Sequence, residues 1–287
     1  MKLPALKFEP LSLDHQSAYL RLLKQRTASD YSFVNLFGWA PTYGLELALT
    51  GELALIRDKH GCFWAPVGDW AAIDWSSVLK PGDCFARVPA ELVALWRGQG
   101  LEFTAEPARA HFDYLYSVSD LIELRGNRYH KKKNLLSQFI RNHAFEYAAL
   151  TAELIPSLLD SQFSWCAYHD CESDESLEAE QEAIVRVLEN WDALKGVCGG
   201  AIVVDGEVAA FTVAEAYAPD SLIIHFEKGL PAFKGVYQAI NQQFLSHNPG
   251  FELVNREQDL GDEGLRQAKL SYQPCGFVEK FTVSFSG

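Results

Sequence analysis

Two apolar runs, residues 201–204 and 207–213, are separated only by Asp205–Gly206. Asp-Gly between such runs is a strong signal for a two-residue hairpin, because both turn positions need a positive φ and these residues adopt it at low cost. An antiparallel pair is therefore fixed late in the chain, and the surrounding elements fall into order. Residues 154–167 and 175–194 precede it as helices, the second with Leu177, Ile184, Val185, Leu188 and Trp191 on one stripe. After it come a strand at 221–226, a helix at 233–245, a strand at 251–255, a helix at 263–271 and a strand at 277–285. Helices, a hairpin and then alternating strand and helix argue an α/β (α+β) fold with a mixed sheet, one crossover helix joining neighbouring strands.

The first half follows a similar order. A helix at 13–27 starts from Ser12 and Asp14 and carries Tyr19, Leu20, Leu22 and Leu23. An antiparallel meander over 45–49, 53–57 and 62–66 turns at Thr50–Gly51–Glu52 and at residues 58–61, before a helix at 91–99 and a strand at 101–105. At 287 residues the chain has material for two domains. The expected division is residues 1–120, a basic bridging helix at 121–145, and residues 146–287.

A net charge of −13 excludes a general nucleic-acid coat, so any polyanion must meet a local patch. The patch is at 125–141, where Arg125, Arg128, His130, Lys131, Lys132, Lys133 and Arg141 share an amphipathic helix with Leu135, Leu136, Phe139 and Ile140. A solvated helix face is the ordinary account of such a run; a phosphate backbone or anionic headgroup is the functional one. No run of about 18 apolar residues occurs, and the first residues are neither a signal peptide nor an anchor. The six cysteines show no C-x-x-C pair and no zinc spacing, so reduced thiols, a cytoplasmic setting and no metal are expected.

Candidate chemistry gathers in the second half. In the strand at 221–228, simple alternation places Ile223, His225 and Glu227 on one face, where His225 or Glu227 can act as a base. The ordinary alternative is a core histidine at a strand end. Lys234 and Gly235 open a helix whose amides suit a phosphate, although a plain strand-to-helix turn also explains them. The acidic loop at 257–263 holds Asp259, followed by Arg266 and Lys269 on the next helix, which then delivers Tyr272 ahead of Gly276–Phe277. Asp259 suits a cationic amine, Arg266 or Lys269 a developing negative charge, and Tyr272 a leaving group in need of a proton. Salt-bridge decoration of a helix is the bland reading of the two cations.

That element order, with Asp205–Gly206 in its central hairpin and Tyr272 before Gly276–Phe277, resembles the GNAT N-acyltransferase fold. More narrowly, GNRYHKKKN, IHFEKG and NREQDLGDEGLRQAKLSY resemble the bacterial family that shares its domain with the carboxy-terminal part of phosphatidylglycerol lysyltransferase. The resemblance implies two tandem GNAT-like domains, each a mixed, mostly antiparallel sheet flanked by helices, related to the Fem-type transferases that draw an amino acid from charged tRNA. It implies an acyl- or aminoacyl-transferase acting on an amine or hydroxyl acceptor, with aminoacyl-tRNA or acyl-CoA as donor. Glu227 or His225 would be the base, Tyr272 the acid, Asp259, Arg266 and Lys269 the substrate contacts, and Arg128, Lys131, Lys132, Lys133 and Lys234 the phosphate contacts. At the usual pyrophosphate loop, residues 234–237 keep a single glycine and place Tyr237 where the backbone must approach the phosphates, which favours a donor other than a CoA thioester. A GNAT-like module that binds a small ligand without catalysis is the competing class.

Overall fold

The computed structural model describes residues 6–24 and 26–286, and its chain forms two compact units. The first comprises Met1–Asp113, Gln258–Glu263 and Phe277–Gly287; the second comprises Tyr114–Glu257 and Gly264–Gly276. This differs from a split near residue 120. The basic helix lies inside the second unit, and the last strand, Lys280–Phe285, pairs with Cys84–Pro89 and Phe103–Pro107 of the first. The final strand alternates buried Val283 and Phe285 with exposed Thr282 and Ser284, the pattern of a strand with one face on a core.

In the first unit the sheet runs Glu9–Pro10, Glu46–Leu49, Leu53–Arg57, Phe63–Trp64, Cys84–Pro89, Lys280–Phe285, Phe103–Pro107. Among the described residues of this sheet, only Phe63–Trp64 with Cys84–Pro89 is parallel. That register sets Phe63 opposite Phe85 and so brings Cys62 beside Cys84, where a disulfide joins them. A second disulfide links Cys166 to Cys171 across the left-handed turn at Asp170 (φ 53°). The expectation of reduced thiols is therefore corrected at four cysteines. One pair is made by strand register and the other by a helix-ending turn, and neither leaves a spacing motif. The helix expected at 13–27 is a turn of 3-10 helix, Leu13–His15, continued by Gln16–Leu22; Gln25 lies outside the described residues.

The second sheet runs Gly276–Val278, Asp113–Ser117, Leu253–Asn255, Ser221–Gly229, Glu207–Ala218, Val197–Val204, Phe145–Ala149. Asp205 and Gly206 take φ 50° and 84°, the conformation that a two-residue hairpin requires. The helix Val236–Ser246 crosses over between Ser221–Gly229 and Leu253–Asn255, which pair in parallel as a crossover demands. One side of this helix packs Phe244 and Leu245 against Leu222, Ile224, Tyr116 and Tyr272. Each such buried side chain stabilises the unit by roughly 1.5–3 kcal/mol before entropy is counted. Among the described residues no helix is long and apolar enough to cross a membrane.

Candidate active site of the second unit

The parallel pair is short. Ser221, Leu222 and Ile223 pair with Leu253, Val254 and Asn255, and the ladder ends there, while the first strand runs on to Gly229. Past Asn255 the chain parts from Ser221–Gly229, while Arg256 and Glu257 (φ 55°) still bond the Tyr114 backbone on their other side. The flank of Ser221–Gly229 beyond Ile223 is thus free of a strand, and side chains fill the space.

The neighbouring pairing decides which side chains these are. Val213 opposes Phe226 but Ala214 opposes Ile224, so His225 is an extra residue, a β-bulge. The bulge reverses the alternation. Leu222 and Ile224 face the helix Val236–Ser246, and so does Glu227, whose Oε2 accepts from Asn241 Nδ2 at 3.3 Å. His225 turns to other partners: its Nδ1 lies 2.8 Å from Glu257 Oε1 and its Nε2 lies 3.4 Å from Glu215 Oε2. The expected pairing of His225 and Glu227 on one face does not form. Burial works against a charged imidazole, yet hydrogen bonds to Glu215 and Glu257 hold His225 up at about 9. It is an imidazolium at neutral pH and has no free lone pair with which to act as a base.

Glu227 is occupied on both oxygens. Its Oε1 accepts from Arg256 Nη2 at 2.7 Å, opposite the bond from Asn241. Arg256 lies over the Tyr272 ring with Cζ 4.8 Å from the centroid. Burial opposes its charge and Glu227 restores it, which keeps the guanidinium positive. Its Nη1 is buried and has no hydrogen-bond partner. A hydrogen bond to Tyr272 also helps to keep this guanidinium charged.

Tyr272 is buried, and its hydroxyl accepts from Gln238 Nε2 at 2.9 Å. Burial pushes its pKa up, so it stays protonated and keeps a proton to give. Lys132 sets its Nζ 4.0 Å from the centroid of the same ring. Lys269 does not enter the group with its charge: its Nζ donates to the Arg256 carbonyl, and its own carbonyl accepts from the Tyr116 hydroxyl at 2.8 Å. It braces the loop that carries Arg256. Arg266 sits half-buried on the helix Glu263–Leu270.

The other expected residues lie elsewhere. Asp259 belongs to the first unit, is fully buried, and accepts from Arg109 Nη1 at 3.1 Å and from the Gly261 amide at 2.9 Å. Arg128 is exposed and paired with Asp120, whereas Lys131 and Lys133 are exposed with no ion pair among the described residues. Lys234 is exposed, but the helix start beside it is closed to a phosphate: the Val236 and Gln238 amides already bond Phe233 and Gly235 carbonyls. Gly235 (φ 91°) is glycine because a Cβ there would meet the Leu135 carbonyl at 2.2 Å. A hollow of about 560 Å³ in the first unit, beside Leu22, Thr50 and Asp69, touches none of these groups. It carries no chemistry comparable to the Arg256 cluster. Among the described residues no three His, Cys, Asp or Glu are placed to hold a metal ion.

Arg256, Gln238 and Asn241 were not legible as site residues. Arg256 stands in the NREQ run after a strand, but its role depends on where the parallel ladder stops. Gln238 and Asn241 are three apart on one helix, a spacing that is common on any polar face.

Two mixed, mostly antiparallel sheets with flanking helices, one of them with a crossover helix beside a parallel pair that parts after three residues, define a tandem GNAT-like protein. Over residues 21–284 the chain matches the family described as phosphatidylglycerol lysyltransferase, C-terminal, and it belongs to that family. It is similar to a conserved protein of unknown function from Bacteroides thetaiotaomicron, with 29% identity, 98% of this chain and 100% of the other covered, and a TM-score of 0.86. L-PGS from Bacillus licheniformis shares the fold at 13% identity and a TM-score of 0.65, over 99% and 95% of the two chains. FemX does so at 8% identity and 0.51, over 97% of each. No curated protein matches the chain.

Proposed function

We propose that the second unit is an acyl- or aminoacyl-transferase site that moves its group from an activated ester to an amine or hydroxyl. The observation that carries this reading is the buried, unpartnered Nη1 of Arg256, fixed between Glu227 and the protonated Tyr272. A charged donor held in a dry place, with no partner of its own, is suited to the oxygen that becomes negative when a carbonyl is attacked. Glu227 keeps Arg256 charged and oriented and is a positioning residue, as Lys269 is from the other side. Tyr272 donates its proton to the departing oxygen.

Charged tRNA is the favoured donor over acyl-CoA. The exposed Lys131 and Lys133 offer charge to a phosphate backbone, while the glycine that would meet a CoA pyrophosphate is covered by Leu135. Family membership supports an aminoacyl group, and lysyl-tRNA is the first donor to try. The test is transfer of a radiolabelled group from lysyl-tRNA, other aminoacyl-tRNAs and acetyl-CoA to an amine or hydroxyl acceptor. Tyr272→Phe should lower turnover about tenfold or more; unchanged turnover removes the acid role. Tight retention of a ligand with no transfer from any donor would instead mark a binding module.

A further inference from the structure

Lys132 differs from the lysines on either side of it. Lys131 and Lys133 are exposed, but Lys132 is half-buried, with Nζ 4.0 Å above the Tyr272 ring and no carboxylate paired with it among the described residues. The charged and titratable groups gathered about that ring are Arg256, Glu227, Tyr116 and Lys132 itself. The single carboxylate among them is committed to Arg256 and Asn241. Burial first, and then the charge of Arg256, lower Lys132 to about 8. The ring face favours the ammonium while burial and the Arg256 charge favour the amine, and the balance brings the group within reach of both states near neutral pH.

We propose that Lys132, as a neutral amine, is the base that takes the proton from the attacking acceptor. The inference rests on the transferase reading and names the one group that reading left open, since Glu227 is saturated and His225 is an imidazolium. The lone pair of the acceptor nitrogen or oxygen attacks the carbonyl carbon of the donor ester, and a new N–C or O–C bond forms. Its proton passes to Lys132 Nζ. The old C–O bond breaks, and the departing oxygen takes the proton of Tyr272. The Lys132 ammonium, beside the same ring, returns a proton to the tyrosinate. The sum is donor ester plus acceptor giving acylated acceptor plus free donor alcohol, with both side chains restored.

The test begins without substrate. The intact protein is labelled with trace acetic anhydride from pH 6 to 11, and acetylation at Lys131, Lys132 and Lys133 is read by mass spectrometry. Lys132 should reach half-labelling near pH 8. Arg256→Gln should move the Lys132 midpoint upward. In lysyl-tRNA transfer, Lys132→Arg keeps the positive charge but gives up no proton at neutral pH, so turnover should fall about a hundredfold with little change in KM. Lys132→Met, checked for an unchanged melting temperature, should match it. A Lys132 midpoint near the ordinary lysine value of 10.5, or a Lys132→Arg protein that keeps its turnover, overturns the proposal. The transferase reading fails on a different result, absence of transfer by the unaltered protein, so the two failures are told apart.

Discussion

Asp30, Arg87, Asp113 and Lys280 in the first unit, and Glu227, Arg256 and Lys132 in the second, are charges taken largely out of water. In the first group two anions meet two cations. Lys280 bonds both Asp30 and Asp113, Arg87 Nη1 reaches Asp30 at 2.8 Å, and Gln258 Nε2 bonds Asp30 and Asp113 at 3.0 and 3.2 Å. Ser29 adds bonds from its amide and hydroxyl to Asp113. Those carboxylates are fully engaged, and Asp30 is held well below the ordinary carboxylate range by Lys280 and Arg87 against the opposing effect of burial. In the second group the single carboxylate is taken up by Arg256 and Asn241, and Lys132 has no carboxylate partner among the described residues. A buried cluster whose carboxylates are all engaged suits a structural role; one with an amine left unpaired can exchange a proton with a substrate.

The contrast breaks most easily at Lys280. Replacing it by Met leaves Asp30 and Asp113 buried without their shared cation, and unfolding stability should fall by about 3–5 kcal/mol. Urea denaturation measures it, and a loss under about 1 kcal/mol would show that the cluster is not closed in solution. Arg256→Lys should do the reverse. It keeps a charge beside Glu227 but removes the free Nη1, so turnover should drop about 10²–10³-fold while stability changes little. A variant that melts early yet turns over normally would exchange the roles of the two clusters.

His225 lies between these extremes, because its charge is held by Glu215 and Glu257 and serves no proposed step. Its folded value, about 9, lies above the ordinary 6.5. Its contribution is therefore complete below about pH 6.5 and drains away as pH rises through about 9, on the order of 3 kcal/mol in all. Denaturation of the natural protein and of His225→Gln from pH 6 to 10 should show a gap that narrows by that amount. A constant gap would mean that His225 is neutral when folded.

The second sheet's hairpin, its crossover helix and the motif running into Tyr272 were legible because each is local: Asp205–Gly206 sets a turn and residues 233–245 carry a helical stripe. The strands Asp113–Ser117 and Phe145–Ala149 were not, the first because consecutive Asp113, Tyr114, Leu115 and Tyr116 give no alternation. The helix Phe33–Tyr43 was also missed, an apolar stretch holding Pro41 that packs into the first unit's core. At the site, Tyr272 and Glu227 could be named from position alone, but their relation could not. It depends on the bulge at His225, which is a property of the pairing between two strands and reverses the face that simple alternation assigns. Arg256 was hidden for the same kind of reason, since its place follows from a ladder that ends at Asn255.

The smallest effect separates the exposed lysines from the buried one. Lys131 and Lys133 attract a polyanion only through water, where each phosphate contact shows as a term in the salt dependence of binding. Lys131→Ala with Lys133→Ala should weaken tRNA binding a few-fold at physiological salt and reduce the log–log salt slope by about 1.5, near 0.7–0.9 for each lost contact. Lys132→Met should leave that slope as it was, because a half-buried amine packed over a tyrosine ring makes no phosphate contact. Filter binding of uncharged tRNA at four salt concentrations suffices, since no transfer is needed to read a slope. Three lysines in sequence would then act through two kinds of physics, long-range and screened on the outside of the helix, short-range and unscreened where the helix turns Lys132 toward Tyr272. A slope loss from Lys132→Met equal to that of each neighbour would place Lys132 back among the phosphate contacts.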